Sequence, residues 1–135
     1  MVASVVPLRP VIGIIDDDAS VLKALSRLLL AAGYGVVPFR STEEFLVTRQ
    51  QWLLHCLVLD VHFPGMNGLD LEAYLADAGV RFPIVFITAH DDPAVRERIE
   101  ASGQAYLRKP LDEVALLDAI TRALHPSGQN EEPGR

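Results

Sequence analysis

The chain alternates short apolar runs with longer segments in which apolar residues recur at helical spacing. The first apolar run, residues 11–15, is rich in branched side chains and has no polar face, which is typical of a strand covered on both sides of a sheet. The runs predicted to be strands are residues 11–15, 34–39, 56–59, 83–87 and 105–107. This pattern predicts five strands separated by helices.

Five longer segments between and after these runs are predicted to be helices. They cover residues 19–32, 41–50 and 69–78, with a fourth helix starting at Asp92-Pro93 and a fifth capped by Asp112. Gly33 stands where a glycine commonly ends a helix, and Ser41 and Glu44 have the spacing of a capping box. A helix is therefore expected after each predicted strand.

Strands that alternate with helices in this way predict an α/β fold with a parallel sheet covered on both faces. Right-handed crossovers leave few topologies, and the flavodoxin-like strand order 2-1-3-4-5 is the one we expect. Residues 10–125 are predicted to form a single domain. Residues 126–135 are polar and contain proline and glycine, which predicts a disordered tail or a linker.

Composition limits the classes of function. The net charge of −6 argues against direct binding to a nucleic-acid backbone, and no apolar stretch reaches the roughly 20 residues that cross a bilayer. Residues 1–10 lack the features of a signal peptide, and Cys56 is a lone cysteine inside an apolar run. We therefore expect a cytoplasmic protein with no membrane contact, and a buried thiol in a reducing compartment.

Three consecutive carboxylates, Asp16, Asp17 and Asp18, follow the first predicted strand. Two carboxylates about 5 Å apart repel each other by roughly 3 kcal/mol at an effective dielectric constant near 20. A bound cation or phosphate group would compensate this repulsion, so a metal site is one hypothesis. The other hypothesis is that the acids cap the next helix and favour its positive N-terminus. The triplet alone does not separate the two.

Polar residues also follow other predicted strands: Asp60 the third, Thr88 the fourth and Lys109 the fifth. Ligands bind at the carboxyl ends of the strands of an open parallel sheet, where Asp16, Asp17 and Asp60 would converge because strands one and three are neighbours. Carboxylates without a histidine or cysteine cluster favour Mg²⁺, and a metal held in this way still accepts phosphate oxygens. Lys109 and Thr88 suit a phosphoryl group, and one carboxylate could form an acyl phosphate.

In this combination the chain resembles the response-regulator receiver domains of bacterial two-component signalling, over roughly residues 11–125. The resemblance rests on the acid pair, on the phosphoacceptor position and the turn after it, and on the ends of the fourth and fifth strands. The matching residues are Asp16-Asp17, Asp60, Pro64-Gly65-Met66-Asn67-Gly68, Thr88-Ala89 and Lys109-Pro110. The likeness is greatest to regulators with a helix-turn-helix output, although this sequence contains no helix-turn-helix.

The resemblance implies a phosphorylation site. Asp60 would accept a phosphoryl group from a phosphohistidine of a sensor histidine kinase or a phosphotransfer protein. Mg²⁺ would be bound directly by Asp17 and Asp60, largely through water by Asp16, and by the backbone carbonyl of His62. Lys109 would pair with the phosphoryl oxygens, so the transfer would depend on positioning and charge neutralisation.

The resemblance also implies a conformational switch. Thr88 would turn toward the phosphoryl group, and Tyr106 would follow it from an exposed to a buried rotamer. The fourth helix, fifth strand and fifth helix would then form a surface for homodimerisation or for an output domain, with transcription as the expected output. Such a domain takes part in its own phosphorylation and dephosphorylation but is not a multi-turnover enzyme.

Two features depart from the family pattern, and three histidine rings are assigned no function. His62-Phe63 stands where the family more often has a basic or polar residue and then Met or Leu, so His62 could alter the dephosphorylation rate. The loop of residues 90–92 is about one residue shorter than in the helix-turn-helix regulators. The rings of His62 and His90 are interpreted as exposed and without function, as is His55 at a strand entrance.

Two alternatives compete with this hypothesis. Asp16-x-Asp18-x-Ser20 after an apolar strand resembles the nucleophile motif of haloacid-dehalogenase-type phosphatases, but those enzymes need a further acidic motif beyond the lysine, and Asp60 would have no role. The second alternative is a phosphorylation-independent receiver that serves only as a protein-binding module. The complete set of acids, threonine and lysine argues against it.

Overall fold

A parallel sheet with the strand order β2-β1-β3-β4-β5 lies at the centre of the fold. The computed structural model describes residues 9–62 and 65–125. Its strands are β1 (Val11–Ile15), β2 (Gly35–Phe39), β3 (Cys56–Asp60), β4 (Ile84–Thr88) and β5 (Ala105–Arg108). The predicted α/β fold, with five strands in the flavodoxin-like order, is confirmed.

The helices that connect these strands begin at side chains that accept hydrogen bonds from free backbone amides. They are α1 (Ala19–Ala31), α2 (Thr42–Thr48) with a short 3-10 helix (Arg49–Gln51) after it, α3 (Gly68–Asp77), α4 (Pro93–Ala101) and α5 (Glu113–Leu124). Their N-caps are Asp18, Ser41, Asn67, Asp92 and Asp112. Each cap satisfies backbone donors that have no partner inside the helix.

Two helix starts differ from the sequence prediction. Ser41 caps α2 as expected, but Glu44 accepts from the amide of Arg40 at 2.6 Å, so the second half of the predicted capping box is made one residue earlier. A full capping box occurs instead at Asn67, predicted as part of a turn, and Asp70, inside the predicted helix 69–78. The predicted helix 41–50 ends as an α-helix at Thr48, and the 3-10 helix completes it.

Two hydrophobic layers cover the sheet, one on each face. Along β3, Cys56 and Val58 point to the layer formed with α1 and α5, whereas Leu57 and Leu59 point to the layer formed with α2, α3 and α4. All four are fully buried, and burial of a side chain of this size contributes about 1.5–3 kcal/mol. The lone thiol is therefore buried, as predicted, and burial raises the pKa of Cys56 to about 12.

A close approach at Gly68 fixes the start of α3 against the end of β3. Its amide donates to the carbonyl of Val61 at 2.8 Å, and a Cβ atom at this position would lie 2.7 Å from the backbone oxygen of Asp60. Such a distance is shorter than real Cβ contacts allow, so glycine is required here. The helix that follows the acidic strand end is thereby held directly on it.

Some sequence predictions concern residues outside the described ranges. Residues 1–8, the predicted tail 126–135, and Phe63 and Pro64 of the turn after β3 belong to this group. Among the described helices, none has both the length and the apolar character needed to cross a membrane.

Candidate functional site

The carboxyl edge of the sheet brings together side chains from four strand ends. Asp16 directly follows β1, Asp60 and Thr88 are the last residues of β3 and β4, and Lys109 directly follows β5. The backbone pairing continues through this edge, because the amide of Asp16 donates to Phe39 at 3.1 Å and that of Lys109 donates to Thr88 at 2.8 Å. The side chains therefore project from positions that the sheet itself fixes.

Three carboxylates converge at this edge. Asp16, Asp17 and Asp60 each offer an oxygen, and these atoms lie within 4.8 Å of one another. Asp16 is fully buried and Asp60 is 6% exposed, whereas Asp17 is exposed to solvent. A set made only of carboxylate oxygens with one open side suits a hard divalent cation that keeps several of its waters, which is the preference of Mg²⁺.

Lys109 bridges two of these carboxylates. Its Nζ atom donates to Asp16 Oδ2 at 2.9 Å and to Asp60 Oδ2 at 3.2 Å. The other oxygen of each carboxylate accepts a backbone amide, since Asp18 donates to Asp16 at 2.9 Å and His62 donates to Asp60 at 3.1 Å. Both buried acids thus have fixed orientations, and one ammonium group compensates part of their charge.

Burial and neighbouring charges together raise the pKa of both the acid Asp16 and the base Lys109. Burial raises the pKa of the Asp16 carboxyl, and the hydrogen bond from Lys109 only partly offsets this. Burial alone would lower the pKa of Lys109, but its hydrogen bond to Asp16 and the charge of Asp60 outweigh it and raise that pKa. Lys109 therefore stays charged, and the ionised Asp16 carries a desolvation penalty that a cation would relieve.

Asp18 has a separate role from its two neighbours. Its Oδ1 atom accepts the amides of Ser20 at 2.8 Å and Val21 at 3.3 Å, which caps α1. The two hypotheses for the acidic triplet therefore apply to different members. The third acid caps the helix, and the first two join Asp60 in the carboxylate cluster.

The Thr88 hydroxyl is directed at the loop after β4. It lies 3.1 Å from Nδ1 of His62, accepts the amide of His90 at 3.1 Å, and lies 3.3 Å from the carbonyl oxygen of His90. The same carbonyl accepts the Tyr106 hydroxyl at 3.4 Å. None of the hydrogen bonds to this hydroxyl among the described residues comes from Asp60.

The interpretation of the histidine rings needs correction. Both residues are exposed, as expected, but the ring of His62 contacts Thr88, and the rings of His62 and His90 pack edge to face with centroids 4.6 Å apart. A signal for this contact was present, because each histidine stands two residues beyond the end of one of two neighbouring strands. The sequence prediction assigned roles to the side chains at the strand ends and none to the histidine rings two residues further on.

A second contact that sequence reasoning missed braces the turn after β3. Thr42 is fully buried, and its hydroxyl donates to the carbonyl of Met66 at 3.0 Å. Glu43 accepts the amide of Met66 at 3.4 Å, and hydrogen bonds from its own amide and that of Met66 hold the pKa of Glu43 below its usual value. The N-terminus of α2 thus holds the turn that separates Asp60 from α3.

Comparison with known proteins assigns the family. Residues 12–121 match the sequence profile of the response regulator receiver domain. The response regulator protein TmoT of Ectopseudomonas mendocina is 42% identical over 123 residues, which are 90% of this chain and 56% of that protein. The transcriptional regulatory protein FixJ of Bradyrhizobium diazoefficiens is 32% identical over 122 residues, 87% of this chain and 60% of that protein.

A solved structure supports the same assignment. The crystal structure of a response regulator receiver protein from Burkholderia phymatum matches with a TM-score of 0.75 and 40% identity, and covers 86% of this chain and 95% of that one. The chain belongs to the response regulator receiver domain family of two-component signalling. It spans little more than half the length of the curated relatives it matches. This membership decides against the haloacid-dehalogenase-type alternative.

Proposed function

We propose that this receiver domain accepts a phosphoryl group on Asp60 from a phosphohistidine of a sensor histidine kinase or a phosphotransfer protein, in a reaction that requires Mg²⁺. The observation that carries this proposal is the contact of Lys109 Nζ with Asp60 at 3.2 Å inside a cluster of three carboxylates. This arrangement offers a nucleophilic carboxylate, a fixed cation and further metal ligands in one place.

The transfer is a displacement at phosphorus. One Asp60 oxygen attacks, a phosphorus–oxygen bond forms, and the phosphorus–nitrogen bond to the partner's histidine breaks with its electron pair going to that nitrogen. Lys109 faces the developing negative charge on the phosphoryl oxygens. Because both side chains are fixed by the sheet edge, little reorganisation is needed at the moment of reaction.

The residues that would hold Mg²⁺ are Asp16, Asp17, Asp60 and the backbone carbonyl of His62. Convergence of three carboxylates within 4.8 Å fits this metal, and Asp17 is exposed on the open side of the cluster. When bound, Mg²⁺ supplies positive charge that offsets the repulsion between the carboxylates and an incoming phosphoryl group.

The switch residues would be Thr88 and Tyr106. Both hydroxyls lie near the carbonyl of His90, so the loop after β4 links them. Phosphorylation adds about −1.5 to −2 charges. Thr88 would then turn toward Asp60, and Tyr106 would follow it from an exposed to a buried rotamer.

The output of this switch is proposed to be transcriptional. Support comes from relatives such as FixJ of Bradyrhizobium diazoefficiens, which is named a transcriptional regulatory protein. The surface of α4, β5 and α5 would serve homodimerisation or contact with an output domain. We propose a cytoplasmic location, no direct binding of nucleic acid by residues 10–125, and no multi-turnover catalysis.

The test is incubation with acetyl phosphate and Mg²⁺, followed by intact-mass measurement. Wild type should gain a single acid-labile phosphoryl group, Asp60→Asn should gain none, and chelation with EDTA should prevent the addition. Asp77→Asn, which removes a carboxylate from the exposed end of α3, serves as the matched control and should behave as wild type.

Absence of any phosphoryl group on wild type would favour the phosphorylation-independent binding module. Equal addition to Asp60→Asn would place the acceptor on another residue. Either result would overturn the proposal.

A further inference from the structure

The Thr88 hydroxyl is almost completely buried, so its hydrogen bonds decide where it points. The residue is 1% exposed, and its hydroxyl has partners on two different segments of the chain. The amide and carbonyl of His90 belong to the loop that Thr88 itself begins. Nδ1 of His62, at 3.1 Å, belongs to the separate segment that follows Asp60.

The ring of His62 is held in place on two sides. Its own backbone amide donates to Asp60 Oδ1 at 3.1 Å, and its ring packs against the ring of His90 with an interplanar angle of 72°. Asp60 therefore fixes the backbone of the residue whose ring fixes Thr88. Two hydrogen bonds, both made by His62, thus connect Asp60 with Thr88.

We infer that His62 is a positioning residue that holds the Thr88 hydroxyl on the loop side of the sheet in the unphosphorylated domain. It thereby sets the equilibrium between the two orientations of Thr88. This inference rests on the proposed function, because the second orientation is the one that phosphorylated Asp60 would stabilise.

The effect of the ring on this equilibrium follows from the strength of one hydrogen bond. The loop-side orientation has the His62 contact and the opposite orientation lacks it. Loss of the contact in His62→Ala should therefore raise the ratio of switched to unswitched Thr88 about fivefold, as expected for one net hydrogen bond. His62→Asn places a side-chain oxygen or nitrogen at the same bond position as Nδ1, and should restore the wild-type ratio.

Three-bond couplings to the threonine methyl group measure this ratio directly, because they depend on χ1 and not on the ring current of a neighbouring histidine. The chain has four threonines, so specific labelling gives few signals, and Thr42, Thr48 and Thr121 serve as internal references. Without any phosphodonor, the methyl couplings of Thr88 should change in His62→Ala and return to the wild-type values in His62→Asn. Direct contact of the ring with the hydroxyl predicts this pattern, whereas general destabilisation would change the reference couplings as well.

The same variants are then measured with acetyl phosphate and Mg²⁺. The wild-type Thr88 couplings should change to new values, and those of unphosphorylated His62→Ala should lie between the values of the two wild-type states. His90→Ala removes the ring that packs on His62 and leaves both backbone bonds to Thr88, so it should change the Thr88 couplings in the same direction by a smaller amount.

The outcomes separate the two proposals. If wild type takes no phosphoryl group but Thr88 still moves in His62→Ala and returns in His62→Asn, the proposed function fails and the positioning role stands. If phosphorylation occurs and the Thr88 couplings are unchanged by His62→Ala, the positioning role is overturned and the proposed function stands. A change that His62→Asn does not reverse also overturns it.

Discussion

Cys56 shows how one buried residue affects both reactivity and stability. Its side chain is fully buried in the layer with α1 and α5, and burial raises the pKa of the thiol from 9.0 to about 12. The thiolate is the reactive form, so the folded protein keeps this cysteine inert toward oxidation and alkylation. The sequence predicted this environment because the cysteine lies inside an apolar strand.

Stability should therefore fall at alkaline pH through Cys56. Between pH 9.0 and about 12 the unfolded thiol loses its proton while the folded thiol keeps it, so the stabilisation is complete below this range and is lost as pH rises through it. The slope attributable to Cys56 approaches about 1.4 kcal/mol per pH unit. Urea unfolding at several pH values should show this slope in wild type and lack it in Cys56→Ala.

Other groups also titrate in this range, so the measured quantity is the difference between wild type and variant. A difference that stays constant from pH 8 to pH 10.5 would contradict the prediction. Cys56→Ser is a useful third protein, because it nearly preserves side-chain volume while removing the titrating thiol.

The histidines mark the limit of sequence reasoning at the residue scale. His55 was assigned no function, yet its Nδ1 accepts the amide of Val11 at 3.0 Å and so completes the start of β1. His62 and His90 were likewise interpreted as exposed loop residues. A neutral imidazole satisfies a nearby donor or acceptor without any periodic pattern, so only the folded geometry reveals these contacts.

At the scale of elements, the start of α3 packs tightly against the end of β3. Gly68 meets backbone atoms on β3, and backbone yields less easily than a flexible side chain. The sequence predicted a turn and then a helix here. It gave no indication of how closely the helix approaches Asp60, because that distance depends on the direction in which the helix leaves the turn.

Gly68→Ala should destabilise the domain by about 1–3 kcal/mol, the usual range for overpacking a close contact. The added Cβ would lie 2.7 Å from the backbone oxygen of Asp60 and displace the proposed phosphoacceptor. Urea unfolding measures the loss, and the rate of phosphorylation by acetyl phosphate should fall as well.

Gly35→Ala is the matched control for this change. Its Cβ would meet the side chain of Val11 at 3.1 Å, and a side chain adjusts more readily than backbone. Equal losses of stability and rate in the two variants would show that the contact with Asp60 has no special effect.

The strands β3, β4 and β5 each end one residue later than the sequence predicted, and the reason is physical. The ladder between β3 and β4 continues through Asp60, and that between β4 and β5 through Thr88 and Arg108. The prediction ended the strands before the polar residues at these positions. Hydrogen bonding between backbones does not depend on whether a side chain is polar, so the ladder includes these residues. The side chains of Asp60 and Thr88 lie at the edge of the site while their backbone stays in the sheet.

At the scale of the whole molecule, the proposed metal site predicts that stability depends on the concentration of Mg²⁺. The pKa of Asp16 is raised by burial, so its ionised form at neutral pH is disfavoured in the folded state. In the absence of Mg²⁺, Asp16→Asn should therefore be more stable than wild type, and the difference should disappear at acidic pH, where both states hold the proton.

Added Mg²⁺ should reverse this order. A ligand that binds only the folded state stabilises it, by about 2.7 kcal/mol at a concentration one hundred times Kd. The midpoint of thermal or urea unfolding of wild type should rise with Mg²⁺. The midpoint of Asp16→Asn should rise less, and that of Asp77→Asn should rise as much as that of wild type. Equal gains in all three proteins would indicate nonspecific binding.

The topology could be predicted because few arrangements satisfy the alternation of strands and helices. Once strands one and three were expected to be neighbours, convergence of Asp16, Asp17 and Asp60 followed. The direction of the Thr88 hydroxyl did not follow, because two orientations are compatible with the same backbone. That choice depends on hydrogen bonds from loops whose conformation the sequence pattern does not specify.

The carbonyl of His90 accepts the Tyr106 hydroxyl and lies near that of Thr88. Every amino acid supplies a backbone carbonyl, so these contacts survive any substitution at position 90. An inserted or deleted residue between Thr88 and Pro93 would instead move the acceptor away from both hydroxyls. In a library of variants, the two contacts of this carbonyl should persist through substitutions at position 90 and be lost when the length of the loop changes.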